Sequence, residues 1–228
     1  MSKYGFTKIP RNVKVATEAF RPPTSQPVVG LPSTPLAKFV LDYVTEELPP
    51  PVLLHSLRVF QYSVAIIKDQ FPDWELEPEV VFVTSLLHDI ATTEKNMLAT
   101  QMSFEFYGGI ISRELILKQT KGDKPYADAV AEAIIRHQDL GDSGFITSLG
   151  LILQIATILD NVGLNTHLIH IDTLDAINKK YSREGWLSCF ALAIDKENKE
   201  KPWGHTSALG VNDFRDDVLA NKFNYQKL

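Results

Sequence analysis

Apolar residues recur at helical spacing along most of the chain, and the alternation typical of strands is sparse. Ser33, Thr34 and Pro35 offer a cap and a first-turn proline, so the pattern predicts a helix from there to about Leu48. A second helix is predicted after the prolines at 49–51. Further helices are predicted at 78–89, from Ser103, from Asp123 to near His137, and at 148–162, 172–180, 186–196 and 212–221. Thr147 and Ser148 can cap the helix over 148–162, and Gly163 ends it. The fold is therefore predicted to be all-α.

The first 32 residues differ from the rest of the chain. They hold five of the thirteen prolines and show no sustained periodicity, which predicts an extended, proline-rich N-terminal arm over residues 1–32. We expect residues 33–228 to form a single helical domain, because a hydrophobic content of 44% fills one sizeable core at this length.

Net charge and cysteine content limit which binding partners and which cellular compartment we expect. The formal charge is -5, and acidic and basic residues are interspersed, so neither nucleic acid nor a membrane surface is an expected partner. No apolar run approaches the roughly 20 residues of a membrane span, and the N-terminus lacks the apolar stretch of a signal peptide. Cys189 is the single cysteine, which excludes an intrachain disulfide and favours a cytoplasmic protein.

Two of the predicted helices are apolar almost all round and carry a carboxylate at or near their C-terminal ends. One ends in His88 and Asp89, and the other carries Asp160. Such helices belong in a core, where a carboxylate must be paired, hydrogen-bonded or bound to a cation. We expect His55, on the second helix, and His137, after the helix that begins at Asp123, to face the same interior.

The combination of these residues indicates a metal ion. No lysine or arginine is expected within the apolar faces to pair with both aspartates, so a cation is the simplest way to balance them. His55, His88, Asp89 and Asp160 are the candidate ligands. Imidazole and carboxylate together suit zinc, iron(II), manganese or nickel. Taken singly, each histidine is equally compatible with a hydrogen-bonded core residue.

The order of the candidate ligands resembles the pattern of the HD-domain metalloenzyme superfamily, in which a histidine precedes a His-Asp pair and a distant aspartate. The segments around these residues are HSLRVF at 55–60, LLHDIATT at 86–93, SFEFYGG at 103–109, IIRHQD at 134–139, QIATILDNVG at 154–163 and KPWGHTS at 201–207. They resemble the fungal cyanamide hydratases of that superfamily. The resemblance covers nearly the whole chain from about residue 35.

This resemblance implies an HD-domain helical bundle that hydrates cyanamide to urea, in which a metal-activated water attacks the nitrile carbon. It implies one divalent metal, zinc or alternatively iron(II), held by His55, His88, Asp89 and Asp160. Asp89 is thus both a ligand and a catalytic residue.

Two further residues are candidates for catalysis. His137 is predicted to supply or relay the proton that the nitrile nitrogen needs, and the alternative is a further metal ligand or a hydrogen-bond partner of the ligands. Thr157 lies one turn before Asp160, so its hydroxyl either borders the substrate or bonds back to its own helix. A small closed pocket is expected, lined by aromatic residues such as Phe60, Phe104, Phe106, Tyr107 or Trp203.

Two other functions are compatible with the pattern. An HD-type phosphohydrolase acting on nucleotides would need a cationic cradle for phosphate, for which Arg58, Lys95, Arg113 and Arg136 are available. Against it, Thr92 stands three residues after Asp89, where several nucleotide-cleaving relatives keep a glutamate. The third function is a non-catalytic interaction module stabilised by a structural metal. A homodimer is also a possible assembly.

Overall fold

The computed structural model describes residues 2–221, and these form eleven α-helices and one two-stranded sheet. The strands are β1 (Lys8–Pro10) and β2 (Phe145–Thr147). The helices are α1 (Val13–Ala16), α2 (Pro35–Glu47), α3 (Pro50–Gln70), α4 (Pro78–Leu87), α5 (Glu94–Leu98), α6 (Phe104–Gln119), α7 (Lys124–Ile135), α8 (Ser148–Val162), α9 (Ile171–Lys180), α10 (Trp186–Glu200) and α11 (Asp213–Ala220). Of these, α1 and α5 were not predicted, and the all-α prediction is confirmed.

The helix boundaries follow the predicted caps. The Thr34 hydroxyl accepts a hydrogen bond from the backbone N–H of Ala37 at the start of α2. The Thr147 hydroxyl accepts one from Gly150 at the start of α8, and α8 ends at Gly163, which has a left-handed φ of 76°. Each cap satisfies a backbone group that the helix leaves unpaired, which is why these positions mark the ends.

The core is built around α3, α4 and α8. Helix α3 packs against both α4 and α8, and α4 also contacts α7 and α2. Almost every residue of α4 and α8 is buried, because these helices have apolar side chains on all faces and neighbours on all sides. The three helices that carry the candidate ligands therefore lie together at the centre of the molecule.

The N-terminal segment runs over this core in irregular conformation apart from β1 and α1. Strand β1 pairs antiparallel with β2, and Arg11 forms an ion pair with Asp139 at 2.6 Å. Farther along, the backbone N–H of Gln26 donates to the hydroxyl of Thr173 at 2.8 Å. The sequence pattern did not predict the sheet, because strands of three residues are too short to show alternation. The division into an arm and a domain at residue 32 stays a prediction.

Among the described residues, no helix is long and apolar enough to cross a membrane.

Two adjacent glycines in α6 meet different surroundings. A Cβ on Gly109 would lie 2.5 Å from Cγ1 of Ile135 and 3.1 Å from the carbonyl oxygen of Ala131 in α7. A Cβ on Gly108 would meet its nearest neighbours at an ordinary 3.6 Å. Helix α7 therefore approaches the backbone of α6 more closely at Gly109 than at Gly108.

Replacing these glycines should have opposite effects on stability. Gly109→Ala should lower the free energy of unfolding by about 1–3 kcal/mol, because the added methyl group overpacks the contact with α7. Gly108→Ala should raise it by up to about 1 kcal/mol, since alanine favours the helix and has room. Guanidinium unfolding of both variants measures this, and an equal loss in both would contradict the packing described.

Candidate metal centre

The end of α4 positions the first two functional side chains. Helix α4 is buried from Val80 to Leu87, and His88 follows as its C-terminal cap. Asp89 leaves the helical conformation with φ of -102° and ψ of 13°, and a 3₁₀ turn follows over Ile90–Thr92. Neighbouring residues on a regular helix point about 100° apart, so this change of direction is what turns both side chains to one point.

His55 of α3 completes a group of three buried donors with His88 and Asp89. Their ligand atoms lie within 4.8 Å of one another. Nε2 of His55 is 3.1 Å from Nε2 of His88, and Oδ2 of Asp89 is 3.2 Å from the latter atom and 3.7 Å from the former. All three side chains are at most 2% exposed.

The outer nitrogens of the two histidines fix where their lone pairs point. Nδ1 of His55 lies 2.6 Å from Oδ2 of Asp160, and Nδ1 of His88 lies 2.7 Å from the carbonyl oxygen of Ser85. Both acceptors require a proton on Nδ1, which leaves a lone pair on each Nε2. The two lone pairs therefore face each other.

This donor set fits a divalent cation. Facing lone pairs beside a carboxylate repel one another unless positive charge lies among them. Ligands arranged tetrahedrally at bond lengths of roughly 2.0–2.2 Å are separated by about 3.3–3.5 Å, close to the three distances observed. Three protein donors leave a tetrahedral centre one open position, as catalytic sites do.

Asp160 lies outside this group. Besides His55, its carboxylate accepts hydrogen bonds from Arg58 at 2.8–3.2 Å, from Tyr62 at 3.2 Å, and from Arg183. The expectation that no arginine would lie within the apolar faces was wrong, since Arg58 is fully buried against Asp160. The geometry favours a role for Asp160 in orienting His55, and its predicted role as a fourth ligand stays untested.

His137 borders the donor group from the end of α7. Its Nδ1 donates to the carbonyl oxygen of Ile134 at 2.6 Å, so its Nε2 lone pair is free to face Oδ1 of Asp89 at 3.9 Å. Its ring packs edge-on against His88 and Phe104, with centroids 5.2 and 5.5 Å away. His137 thus lies beside the group without joining it.

Thr157 is buried in α8 one turn before Asp160. Its hydroxyl lies 2.9 Å from the carbonyl oxygen of Leu153 and 3.1 Å from that of Gln154. The hydroxyl proton is therefore used within the helix, and only the oxygen lone pairs remain for another group.

The pKa directions describe a site that attracts positive charge. Burial would raise the pKa of Asp89, but His88, His55 and His137 hold it well below its ordinary value. Burial lowers the pKa of His55 to about 4, despite the opposing effect of Asp160, and burial together with His88 lowers that of His137. Burial would lower the pKa of His88 as well, but Asp89 raises it above its ordinary value. The lowered pKa of His55 favours the neutral imidazole, which is the state that binds metal.

Several residues around the site have contacts that the sequence did not predict. Trp186 stacks on His55 with ring centroids 3.8 Å apart and is fully buried. Arg58 lies one turn after His55 on the same helix, a spacing that offered a signal. Arg183 lies in a loop, and neither it nor Trp186 stands out from the sequence pattern.

Of the five aromatic residues predicted to line a pocket, Phe104 makes a ring contact with a residue of the site. Phe104 lies against His137, whereas Phe60 packs edge-on against Phe82 in the core and Trp203 is 61% exposed. A small cleft is lined by Phe104 together with Thr92, Met97, Phe190, Ala193, Ile194 and Glu197. Phe190 stacks on Trp186, and Trp186 stacks on His55, so two aromatic rings connect this cleft to the metal centre.

Fold and site define an HD-domain protein, and residues 52–162 match the HD domain family. Two curated relatives extend the match to nearly the whole chain. These are cyanamide hydratase DDI2 and cyanamide hydratase DDI3 from Saccharomyces cerevisiae, each 61% identical over 225 residues, or 99% of this chain and 100% of the relative. The chain therefore belongs to the cyanamide hydratase family of HD-domain proteins.

Replacing Asp89 and replacing Asp160 should have different effects on metal binding. Asp89→Asn should lose most of its metal, because it removes a charged donor. Asp160→Asn should keep the metal with affinity weakened by about 10–100-fold, as expected when a residue that orients a ligand is changed. Elemental analysis after dialysis against a chelator measures both.

Thermal unfolding serves as the control for these variants, because Asp160→Asn leaves Arg58 without its full partner. Equal loss of metal from the two variants would support Asp160 as a fourth ligand instead.

Proposed function

We propose that this chain catalyses the metal-dependent hydration of cyanamide to urea. The observation that carries the proposal is the buried group of two imidazole nitrogens and one carboxylate oxygen, with Nε2 of His137 3.9 Å from that carboxylate. The two relatives of 61% identity are named for this activity, which supports the same substrate for this chain.

We propose zinc as the ion, held by His55, His88 and Asp89, with iron(II) as the alternative. Two neutral imidazoles and one carboxylate are a donor set that zinc commonly takes in catalytic sites. When bound, a divalent ion supplies hydroxide at neutral pH by lowering the pKa of water. The remaining steps fall to the protein's own residues.

We propose that His137 transfers protons from the attacking oxygen to the nitrile nitrogen. As the new carbon–oxygen bond forms, one π bond of the nitrile breaks and the nitrile nitrogen takes up a proton, which gives isourea. The hydroxyl proton of isourea then moves to the same nitrogen to give urea. Nε2 of His137 carries a lone pair, so it can take each proton from the oxygen and deliver it to that nitrogen. The fixed bond from Nδ1 to the carbonyl of Ile134 holds the ring in place during both transfers.

The other predicted residues have smaller roles. Oδ2 of Asp89 faces the two histidine nitrogens and Oδ1 faces His137, so we propose that Asp89 would both hold the ion and align the reacting water. Thr157 is proposed to border the substrate as an acceptor, because its proton is used within α8. Burial of every one of these side chains excludes bulk water from the reaction.

A nucleotide phosphohydrolase fits the geometry less well. Arg58, Lys95, Arg113 and Arg136, the four cations considered for a phosphate cradle, are each engaged with a carboxylate at 2.6–3.3 Å. A structural metal also fits less well, since structural zinc sites are closed by four protein ligands. Association as a homodimer and cytoplasmic localisation stay predictions.

The direct test is urea formation from cyanamide by the purified protein. We expect activity that is lost on chelation and restored by zinc, and a loss of both metal and activity in Asp89→Asn. Bound metal without urea would contradict the proposal, and release of phosphate from nucleoside monophosphates would favour the phosphohydrolase.

His137→Asn tests the proton step. Asparagine can keep the hydrogen bond to Ile134 but cannot carry the proton, so kcat should fall by about 10²–10⁴-fold with the metal retained. His167→Asn makes the same change at an exposed position outside the site and should leave kcat unchanged. Loss of metal from His137→Asn would identify His137 as a ligand.

A further inference from the structure

Glu105, in the first turn of α6, is a fully buried carboxylate that the reaction as described does not use. One of its oxygens, Oε1, accepts a hydrogen bond from Nδ1 of His205 at 2.6 Å. The other, Oε2, is buried and has no hydrogen-bond partner among the described residues. An ionised oxygen held away from water without a donor is costly, so the position calls for one.

The surroundings of Glu105 hold this carboxylate in place. The backbone N–H of His205 donates to the hydroxyl of Ser103 at 2.8 Å, and its ring donates to Glu105. The backbone N–H of Phe104 donates to Glu197 at 2.7 Å. The pKa of His205 is raised by its hydrogen bond to Glu105. The imidazole of His205 satisfies only one of the two carboxylate oxygens.

Glu105 lies on a part of α6 that borders the metal centre. A Cβ on Gly108, one turn after Glu105 on the same helix, would lie 3.6 Å from the carbonyl oxygen of His88. The ring of Phe104, the residue before Glu105, packs against the ring of His137 with centroids 5.5 Å apart. The buried carboxylate therefore extends from the segment of α6 that meets both His88 and His137.

We infer that Oε2 of Glu105 accepts an N–H from the amino group of the substrate and so selects an aminonitrile over other nitriles. This inference rests on the proposed function. Besides its nitrile, cyanamide has one polar group, the amino group, which offers two N–H donors. A nitrile that carries methyl in place of amino would leave the buried oxygen unpaired, which is an effective basis for rejection.

The test compares cyanamide with acetonitrile, which is similar in size and lacks the N–H groups. In Glu105→Gln, the amide oxygen should stay with His205 and the NH₂ group should replace the free oxygen by a donor. The KM for cyanamide should then rise by about tenfold or more, as for loss of a hydrogen bond to a charged group. The inhibition constant of acetonitrile against urea formation should change by less than about twofold, because it makes no such bond.

Glu114→Gln is the matched control, since Glu114 lies exposed on the same helix and should leave both constants unchanged. An unchanged KM in an active Glu105→Gln variant, or an equal shift for both compounds, overturns the role of Glu105 alone. A parent protein that makes no urea overturns the proposed function as well.

The parent protein gives a second measurement that needs no variant. Its inhibition constant for acetonitrile should exceed its KM for cyanamide by about tenfold or more. Equal values in a parent that makes urea would overturn the inference even if Glu105→Gln failed to fold.

Discussion

Two imidazole nitrogens, of His55 and His88, face each other at 3.1 Å in the interior of this protein, and each ring is fixed by a hydrogen bond on its other side. Their lone pairs, with the Asp89 carboxylate beside them, repel strongly where water cannot screen them. Positive charge at this point relieves the repulsion. The packing of α3 and α4 is what imposes the arrangement, so the fold and the metal centre depend on each other.

The structure balances its two central carboxylates separately. Asp89 faces the histidine lone pairs and is left for a cation, whereas Asp160 is neutralised by Arg58 and Arg183. Because Asp160 also accepts the hydrogen bond from Nδ1 of His55, the arginines indirectly set the orientation of that imidazole. Breaking such a buried ion pair typically costs about 3–5 kcal/mol, so this support is also part of the folding energy.

The sequence predicted the elements whose signal is local. Caps such as Thr34 and Thr147 and the apolar run that ends in His88 and Asp89 identified helices, a core and a metal site. The position of Asp160 was not predictable, because helical spacing does not say which neighbour a buried carboxylate turns toward. Arg183, its second partner, lies 23 residues farther along the chain, in a loop, and only the folded structure brings the two together.

The most direct test of the metal centre is an anomalous diffraction map of crystals of the purified protein, recorded at the absorption edge of the metal it contains. The account predicts a single peak within bonding distance of Nε2 of His55, Nε2 of His88 and the carboxylate of Asp89, with a non-protein ligand in the remaining position. A peak bonded to Asp160 as well, or urea formation by crystals without any peak, would contradict it.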